Sequence, residues 1–180
     1  MPAYDDQAAA AIQESDDCGR AAGATMMEVL NAARGAMDGE LPMSTYEGGC
    51  LCGKVRFRVA AEAIESGYCH CRMCQRNTGA PVVAWTTFPA ASFSWTAGSP
   101  ATYVSSPKVR RQFCAECGSY LVFRQANSTQ VSVNTASLDD PASFPPRVHI
   151  FAESRIPWFR TDDNLPQHVG YGPLASAGDD

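Results

Sequence analysis

The sequence predicts a mainly β protein made of short antiparallel strands, and three observations lead to this fold class. Residues 54–59, KVRFRV, alternate basic and apolar side chains, which is typical of a strand with one buried face. Further short runs rich in β-branched and aromatic residues follow, separated by glycine and proline. No long segment after residue 45 keeps the period of an amphipathic helix. Short strands joined by tight turns favour antiparallel pairing.

The predicted strands follow one another closely along the chain. They are KVRFRV (54–59), VVAWTTF (82–88), SFSW (92–95), ATYV (101–104), VRRQF (109–113), YLVF (120–123) and QVSVNT (130–135). The turn-forming residues around them are Gly79, Pro81, Pro89, Gly98, Pro100 and Pro107. We therefore expect one β domain over residues 43–170, followed by a loose acidic tail at residues 171–180.

Residues 1–42 differ from this domain in composition and charge. They contain 11 alanines, and two basic residues stand against eight acidic ones, whereas residues 43–180 have a net charge of +1. TMMEVLNAARGAM is compatible with a short amphipathic helix, but glycines interrupt the segment, so a helical arm and a disordered arm both remain open. The sequence predicts an N-terminal extension separate from the β domain.

Overall composition is that of an ordinary globular protein, with 45% hydrophobic and 18% charged residues in 180. The N-terminus is acidic where a signal peptide needs basic residues, and no apolar run approaches the roughly 18 residues of a membrane span. These features predict a soluble cytoplasmic protein without a membrane partner. The β domain lacks a basic tract interleaved with aromatic residues, which argues against nucleic acid as a partner.

Seven of the eight cysteines fall into three clusters, GGCLCG, CHCRMC and CAECG, while Cys18 stands alone and is expected to have no role. Stable disulfides are rare in a reducing cytosol, so clustered cysteines indicate metal ligands or catalytic thiols. A tetrahedral zinc site with Zn–S bonds near 2.3 Å needs sulfurs roughly 3.8 Å apart, and both CxC and CxxC spacings permit this.

Seven ligands divide naturally into four and three. A structural zinc site is closed by four ligands, whereas a catalytic site keeps three protein ligands and one open position. GGCLCG and CAECG would form the closed site, leaving CHCRMC as the open one. Spacing alone permits other partitions, including one with His70 as a fourth ligand, although alternation along CHC turns His70 away from its neighbours. A redox pair at CAEC and buried thiols without metal are further interpretations.

Four segments together resemble one known family. GGCLCGKVRF, YCHCRMCQRNTGAPVVAW, RQFCAECGSYLVFR and HIFAESRIPWF, between Tyr46 and Gln167, are similar to the glutathione-dependent formaldehyde-activating enzymes, which include centromere protein V-like domains. The resemblance implies a β-tent of antiparallel strands around a structural zinc. It also implies the ligands, which are Cys50, Cys52, Cys114 and Cys117 for the structural zinc and Cys69, Cys71 and Cys74 for a second, catalytic-type zinc.

The resemblance further implies a carbon–sulfur lyase that joins a small thiol such as glutathione to formaldehyde, giving S-hydroxymethylglutathione, or that acts on a related adduct of another small carbonyl compound. The catalytic residues would be Cys69, Cys71 and Cys74. A zinc with three thiolates has a net charge of −1 and is a weak Lewis acid, so nearby cations should matter. The candidate cations are Arg72, Arg76, Lys108, Arg110 and Arg111, for which the alternative is a solvated strand face.

Three further side chains and one other function class are candidates. Trp85 and Trp158 fit core packing better than a pocket wall, and His149 fits a structural histidine better than a general base. The alternative to an enzyme is a zinc-scaffolded binding module for a glutathione-like ligand or a protein. Zinc content measured together with thiol-adduct turnover separates the two classes.

The composition change at Met43 generates a prediction. A chain that begins at Met43 should fold and keep the full zinc content of the whole chain, because the acidic extension is expected to contribute neither core nor ligands. Thermal unfolding and elemental analysis measure both properties. Loss of solubility or of metal would mean that residues 1–42 pack on the β domain.

Overall fold

The computed structural model describes residues 44–172, so the predicted extension and most of the predicted tail lie outside the described residues. The described part contains two sheets and one short helix. The strands are β1 (Thr45–Gly49), β2 (Arg56–Ala60), β3 (Glu65–Cys69), β4 (Val83–Pro89), β5 (Phe93–Ala97), β6 (Ala101–Ser106), β7 (Val109–Phe113), β8 (Tyr120–Gln125), β9 (Gln130–Asn134) and β10 (His149–Ile150), and the helix is α1 (Arg72–Thr78).

The mainly β, antiparallel expectation is confirmed. Strands β1, β2 and β5 form a three-stranded sheet, and the other strands form a seven-stranded sheet in the order β10-β3-β4-β9-β8-β7-β6. All neighbouring strands pair antiparallel except β10, which pairs parallel to β3. Within residues 44–172, no helix is long and apolar enough to cross a lipid bilayer.

Each of the seven predicted runs overlaps an observed strand, whereas β1, β3, β10 and α1 were not predicted. TYEGG and ESGYC lack the alternation that marks a half-buried strand, and each contains glycine. Strand β10 has two residues and helix α1 has seven, which is too short for a periodic pattern. The three strands form because distant partners complete their hydrogen bonds, whereas the helix is capped locally by Cys71 and Gly79.

The hydrophobic core includes the residues that the KVRFRV alternation assigned to a buried face. Phe57 and Val59 are fully buried, and Phe57 packs on Phe93 with ring centroids 5.4 Å apart. Gly48 permits the close approach of β1 to this core, because a Cβ there would lie 2.4 Å from Cζ of Phe57 and 2.5 Å from the carbonyl oxygen of Ser137.

Candidate metal centres and adjoining cleft

Four cysteines converge from two turns that are distant in sequence. Cys50 and Cys52 lie in the turn after β1, and Cys114 and Cys117 lie in the turn after β7. The sulfurs of Cys50 and Cys52 are 3.5 Å apart, those of Cys52 and Cys114 are 3.7 Å apart, and all four lie within 4.8 Å of one another. These separations match a tetrahedral S₄ site for zinc, so the donor set fits the metal.

The two turns have the same local design. In each, a glycine with φ of 75°, Gly53 or Gly118, donates its N–H to the carbonyl oxygen of the turn's first cysteine. Because φ is positive, these positions favour glycine. The backbone N–H of Val55 donates to the sulfur of Cys50 at 3.2 Å. The ion pair of Lys54 with Glu116 further links the two turns. The sulfurs are therefore held close together by the backbone of both turns.

The electrostatics of this cluster favour the thiolate form of Cys117. Hydrogen bonds from the side chain and backbone of Ser119 lower the pKa of Cys117 to about 5. The hydroxyl of Ser119 also accepts a hydrogen bond from the backbone N–H of Leu51 at 3.0 Å, which connects the two turns. A thiol that ionises below neutral pH suits metal ligation, since zinc binds the deprotonated form.

The second cluster forms where β3 meets α1. Cys69 ends the strand, Cys71 caps the N-terminus of the helix, and Cys74 lies in its first turn. Their three sulfurs lie within 4.8 Å of one another. The backbone N–H of Cys74 donates to the sulfur of Cys71 at 3.3 Å, and hydrogen bonds from the Cys69 and Cys74 thiols lower the pKa of Cys71 far below its usual range. This donor set also fits zinc, with three thiolates and one position open.

A cleft of about 230 Å³ opens beside these three cysteines, over one face of the seven-stranded sheet. The strand register places one row of side chains along the floor of the cleft. The consecutive cross-strand partners in this row are Glu65 (β3), Thr87 (β4), Ser132 (β9), Phe123 (β8) and Arg111 (β7). Cross-strand partners share one face of a sheet. Side chains from five strands therefore line the cleft next to the candidate metal ligands.

Trp85 forms a wall of this cleft. It is half-buried, and its indole lies over Gly67, where a Cβ would be 2.8 Å from Cζ2 of the ring. The core-packing interpretation of Trp85 is thus incomplete, because the ring packs beside Val148 and Ile150 and also faces the cleft. For Trp158 the core-packing interpretation is wrong. Its side chain is 72% exposed, because it lies in an irregular surface segment after the last strand.

Of the five cations that the sequence proposed, Arg111 alone reaches the three-cysteine cluster among the described residues. Its Nη1 lies 3.8 Å from the sulfur of Cys74 and 3.4 Å from the hydroxyl oxygen of Tyr120. The guanidinium also lies 5.3 Å from the ring centroid of Phe123, and the residue is 3% exposed. A buried cation needs a compensating negative charge, so Arg111 and the thiolates stabilise each other.

The other four cations, Arg72, Arg76, Lys108 and Arg110, are exposed. Arg72 donates a hydrogen bond to the side-chain oxygen of Gln75. Arg72 and Arg76 line a separate surface depression with Trp158. Arg110 alternates with Arg111 along β7 and therefore points to the other face of the sheet. The solvated-charge interpretation fits these residues, and burial distinguishes Arg111 from them.

His70 does not belong to either group of converging ligand atoms in the described residues. Its Nε2 lies 2.7 Å from Nδ1 of His149, whose Nε2 in turn lies 3.0 Å from a carboxylate oxygen of Asp163. Both imidazoles are fully buried, and Arg155 approaches them at 3.2 Å from His149. Burial and the positive charge of Arg155 lower the pKa of His70 to about 4, so the ring is neutral near pH 7. This supports the structural interpretation of His149.

Sequence reasoning missed two side chains that shape the three-cysteine site. Gln75 is buried, and its Nε2 donates to the carbonyl oxygens of His70 at 2.7 Å, Pro81 at 3.2 Å and Ser154 at 3.3 Å. Tyr120 lies beside Arg111, and burial raises the pKa of its phenol above the usual range, so it stays protonated. Gln75 directly follows Cys74 in CHCRMCQ, which was the available signal, whereas nothing in YLVF indicated a site residue.

Comparison with known proteins agrees with this geometry. The family model for the glutathione-dependent formaldehyde-activating enzyme matches residues 45–154. The chain belongs to this family. The match contains all seven clustered cysteines, so both candidate metal centres lie within the family region.

Two curated relatives are similar over part of their length. A protein of Schizosaccharomyces pombe named as an uncharacterized lyase is 33% identical over 87 residues, covering 47% of this chain and 61% of that protein. The chain thus spans less than two thirds of that relative. A provisionally named glutathione-dependent formaldehyde-activating enzyme of Halomonas elongata is 29% identical over 122 residues, covering 62% of this chain and 78% of that protein.

Among solved structures, a crystal structure of a Rhodobacter sphaeroides protein aligns with a TM-score of 0.45 and 20% identity. The alignment covers 68% of this chain and 99% of that one. This degree of likeness supports no statement about function. The family assignment depends on the sequence match instead.

The four-cysteine cluster generates a prediction about stability. Cys114→Ala should yield unfolded or insoluble protein, because a structural zinc contributes about 10 kcal/mol to folding in small zinc domains and Cys114 is buried in the core. Thermal unfolding and zinc content measure the effect. Cys18→Ala is the matched control and should change neither. A soluble Cys114→Ala protein with the wild-type melting temperature would contradict the assignment.

Arg111 generates a second prediction. Arg111→Met should weaken zinc binding at the three-cysteine cluster by about tenfold or more, since it removes a buried positive charge close to a thiolate. Competition with a chromophoric chelator measures the affinity. Arg110→Met is the matched control, because this neighbour is exposed on the other face of the sheet. Equal zinc affinities of the Arg111→Met and Arg110→Met proteins would mean that the charge of Arg111 does not contribute to zinc binding.

Proposed function

We propose that the chain is a zinc-dependent carbon–sulfur lyase acting on a glutathione adduct, or a related thiol adduct, of formaldehyde or another small carbonyl compound. The observation that carries this proposal is the position of Cys69, Cys71 and Cys74 at the edge of the cleft. Three thiolates leave one tetrahedral position for a substrate atom. Family membership and a relative named as a lyase support the reaction class.

The proposed reaction is a reversible addition. The thiol sulfur forms a bond to the carbonyl carbon, the π electrons of the C=O bond move to oxygen, and the thiol proton ends on that oxygen as the hydroxyl of the adduct. Zinc held by Cys69, Cys71 and Cys74 would supply Lewis acidity and favour the thiolate form of the incoming thiol. Cys50, Cys52, Cys114 and Cys117 would hold a structural zinc.

The chain's own residues have defined tasks in this proposal. Arg111 offsets the negative charge of the three thiolates, since its Nη1 lies 3.8 Å from the sulfur of Cys74. Tyr120, protonated and accepting a hydrogen bond from Arg111, can donate its own proton in a hydrogen bond to the carbonyl oxygen. Trp85 and Phe123 exclude water from the part of the cleft near the cysteines.

Two further assignments belong to the proposal. Residues 43–170 form the working domain, since they include both cysteine clusters and the cleft. The cytoplasm is the proposed location, because a reducing compartment keeps clustered cysteines in the reduced form that can bind zinc.

The test separates activity from stability. Cys74→Ala should stay folded with about one zinc per chain, because its metal closes a short loop and contributes less to folding than the long-range site. The variant should lose turnover of thiol and formaldehyde. Cys71→Ala should behave in the same way.

Activity is compared after zinc is restored to each protein. Wild-type turnover in a folded Cys74→Ala protein would mean that the chemistry lies elsewhere. Absence of turnover in the wild type with two bound zinc ions would favour a zinc-scaffolded binding module instead.

A further inference from the structure

The cleft beside the three cysteines offers almost no charge to a ligand. Of the described residues that line it, Glu65 and Arg111 are the charged ones. They lie at opposite ends of the same cross-strand row, on β3 and β7. Which substrate the cleft accepts therefore depends on whether Glu65 or Arg111 is free to interact with it.

Arg111 is already engaged. Its guanidinium contacts the sulfur of Cys74 and the hydroxyl of Tyr120, and its flat face lies near the ring of Phe123. With 3% of its surface exposed, it has little surface left for a substrate carboxylate. Its positive charge is balanced by the thiolates rather than free to recruit an anion.

Glu65, the other charged residue that lines the cleft, has a charge opposite to that of Arg111. It is partly buried at the start of β3, and burial raises the pKa of its carboxyl. Its cross-strand neighbour Thr87 is uncharged, and His168 is the titratable group whose charge acts on Glu65 and opposes the effect of burial on that pKa. A second carboxylate brought near Glu65 would be repelled or would have to take up a proton.

The remaining lining is uncharged. Near the cysteines it is apolar and aromatic, with Trp85, Phe123 and Ile150, apart from the hydroxyl of Tyr120 beside Arg111. Further along, it presents hydroxyl and amide groups, namely Ser105, Ser106, Gln125, Ser128, Gln130 and Ser132. Such a surface suits an apolar body near the reacting sulfur and neutral hydrogen-bonding groups beyond it.

The other candidate cations do not line the cleft. Arg72, Arg76 and Arg110 are absent from its lining among the described residues, and so is Lys108, which lies in the turn between β6 and β7 near the rim. Arg111 is therefore the one cation among the described residues that line the cleft, and it already contacts Cys74 and Tyr120.

We propose that the thiol partner of this chain carries no carboxylate, and that an uncharged, partly apolar thiol is used in preference to glutathione. This rests on the proposed lyase function and narrows its substrate class. Glutathione has two carboxylates, and burial of a carboxylate without a cation is strongly unfavourable. The addition itself is unchanged: the thiol sulfur bonds to the carbonyl carbon and the thiol proton passes to the carbonyl oxygen.

The experiment compares matched thiols on the zinc-loaded full chain with formaldehyde. Glutathione diethyl ester keeps the thiol and peptide of glutathione but masks both carboxylates, and benzyl mercaptan is an uncharged apolar thiol. Rates are corrected for the uncatalysed reaction at equal thiolate concentration. We expect kcat/KM for the ester and for benzyl mercaptan to exceed that for glutathione by roughly tenfold or more. Equal or greater kcat/KM for glutathione overturns the inference and leaves the lyase function intact.

A binding measurement distinguishes failure of this inference from failure of the lyase function. The unreactive S-methylglutathione and its diethyl ester are titrated into the protein by calorimetry. Tighter binding of the ester without turnover of any thiol would support the cleft specificity and refute the lyase function. Equal or tighter binding of the free acid would refute the specificity.

Two charge variants complete the test. Glu65→Gln should narrow the kcat/KM ratio between ester and free glutathione, because it removes the negative charge inside the cleft. Glu62→Gln is the matched control on an exposed neighbour and should leave the ratio unchanged. Lys108→Gln should also leave it unchanged. A selective loss of glutathione turnover in Lys108→Gln would show that a rim lysine recruits a carboxylate, which overturns the inference.

Discussion

The convergence of four thiols from two turns is the constraint on which the rest of the structure depends. Cys50 and Cys52 follow β1 of the small sheet, and Cys114 and Cys117 follow β7 of the large one, so the cluster joins the two sheets. Cys50 and Cys114 also lie in the main core, which couples the cluster to hydrophobic packing. Cys114 and Cys117 lie between β7 and β8, two of the five strands that supply side chains to the cleft.

The three-cysteine site is supported from two directions. On the side away from the cleft, His70 contacts His149, and Gln75 donates to three carbonyl oxygens of neighbouring segments. On the cleft side, Arg111 lies against Cys74. Neutral hydrogen bonds therefore fix the backbone around the thiols, and one buried cation offsets part of their negative charge.

The burial of Arg111 also determines which charges the cleft presents to a ligand. A cation that is buried to balance thiolates is no longer available to a ligand, as with Arg111. Position on the sheet decides this, since Arg110 on the same strand is exposed on the other face. In the proposed function, one buried guanidinium would therefore link the metal site to the choice of substrate.

The sequence by itself determined the fold class and the strands with clear alternation, such as the one containing Phe57, because these depend on local spacing within short segments of chain. It favoured a division of the seven cysteines into four and three but left other partitions open, and the folded chain brings the sulfurs into those two groups. The sequence could not determine the strands β1, β3 and β10, because their hydrogen bonds are completed by distant partners. The helix that Cys71 caps was missed because its seven residues are too few for a periodic pattern.

Tertiary structure alone selected Arg111 from five candidate cations, brought Tyr120 beside it, and exposed Trp158. It also assigned His149 to a buried cluster with His70. The physical reason is that burial and charge compensation are properties of the assembled sheets: which face a side chain occupies, and what opposes it there, depends on strand register between segments far apart in the chain.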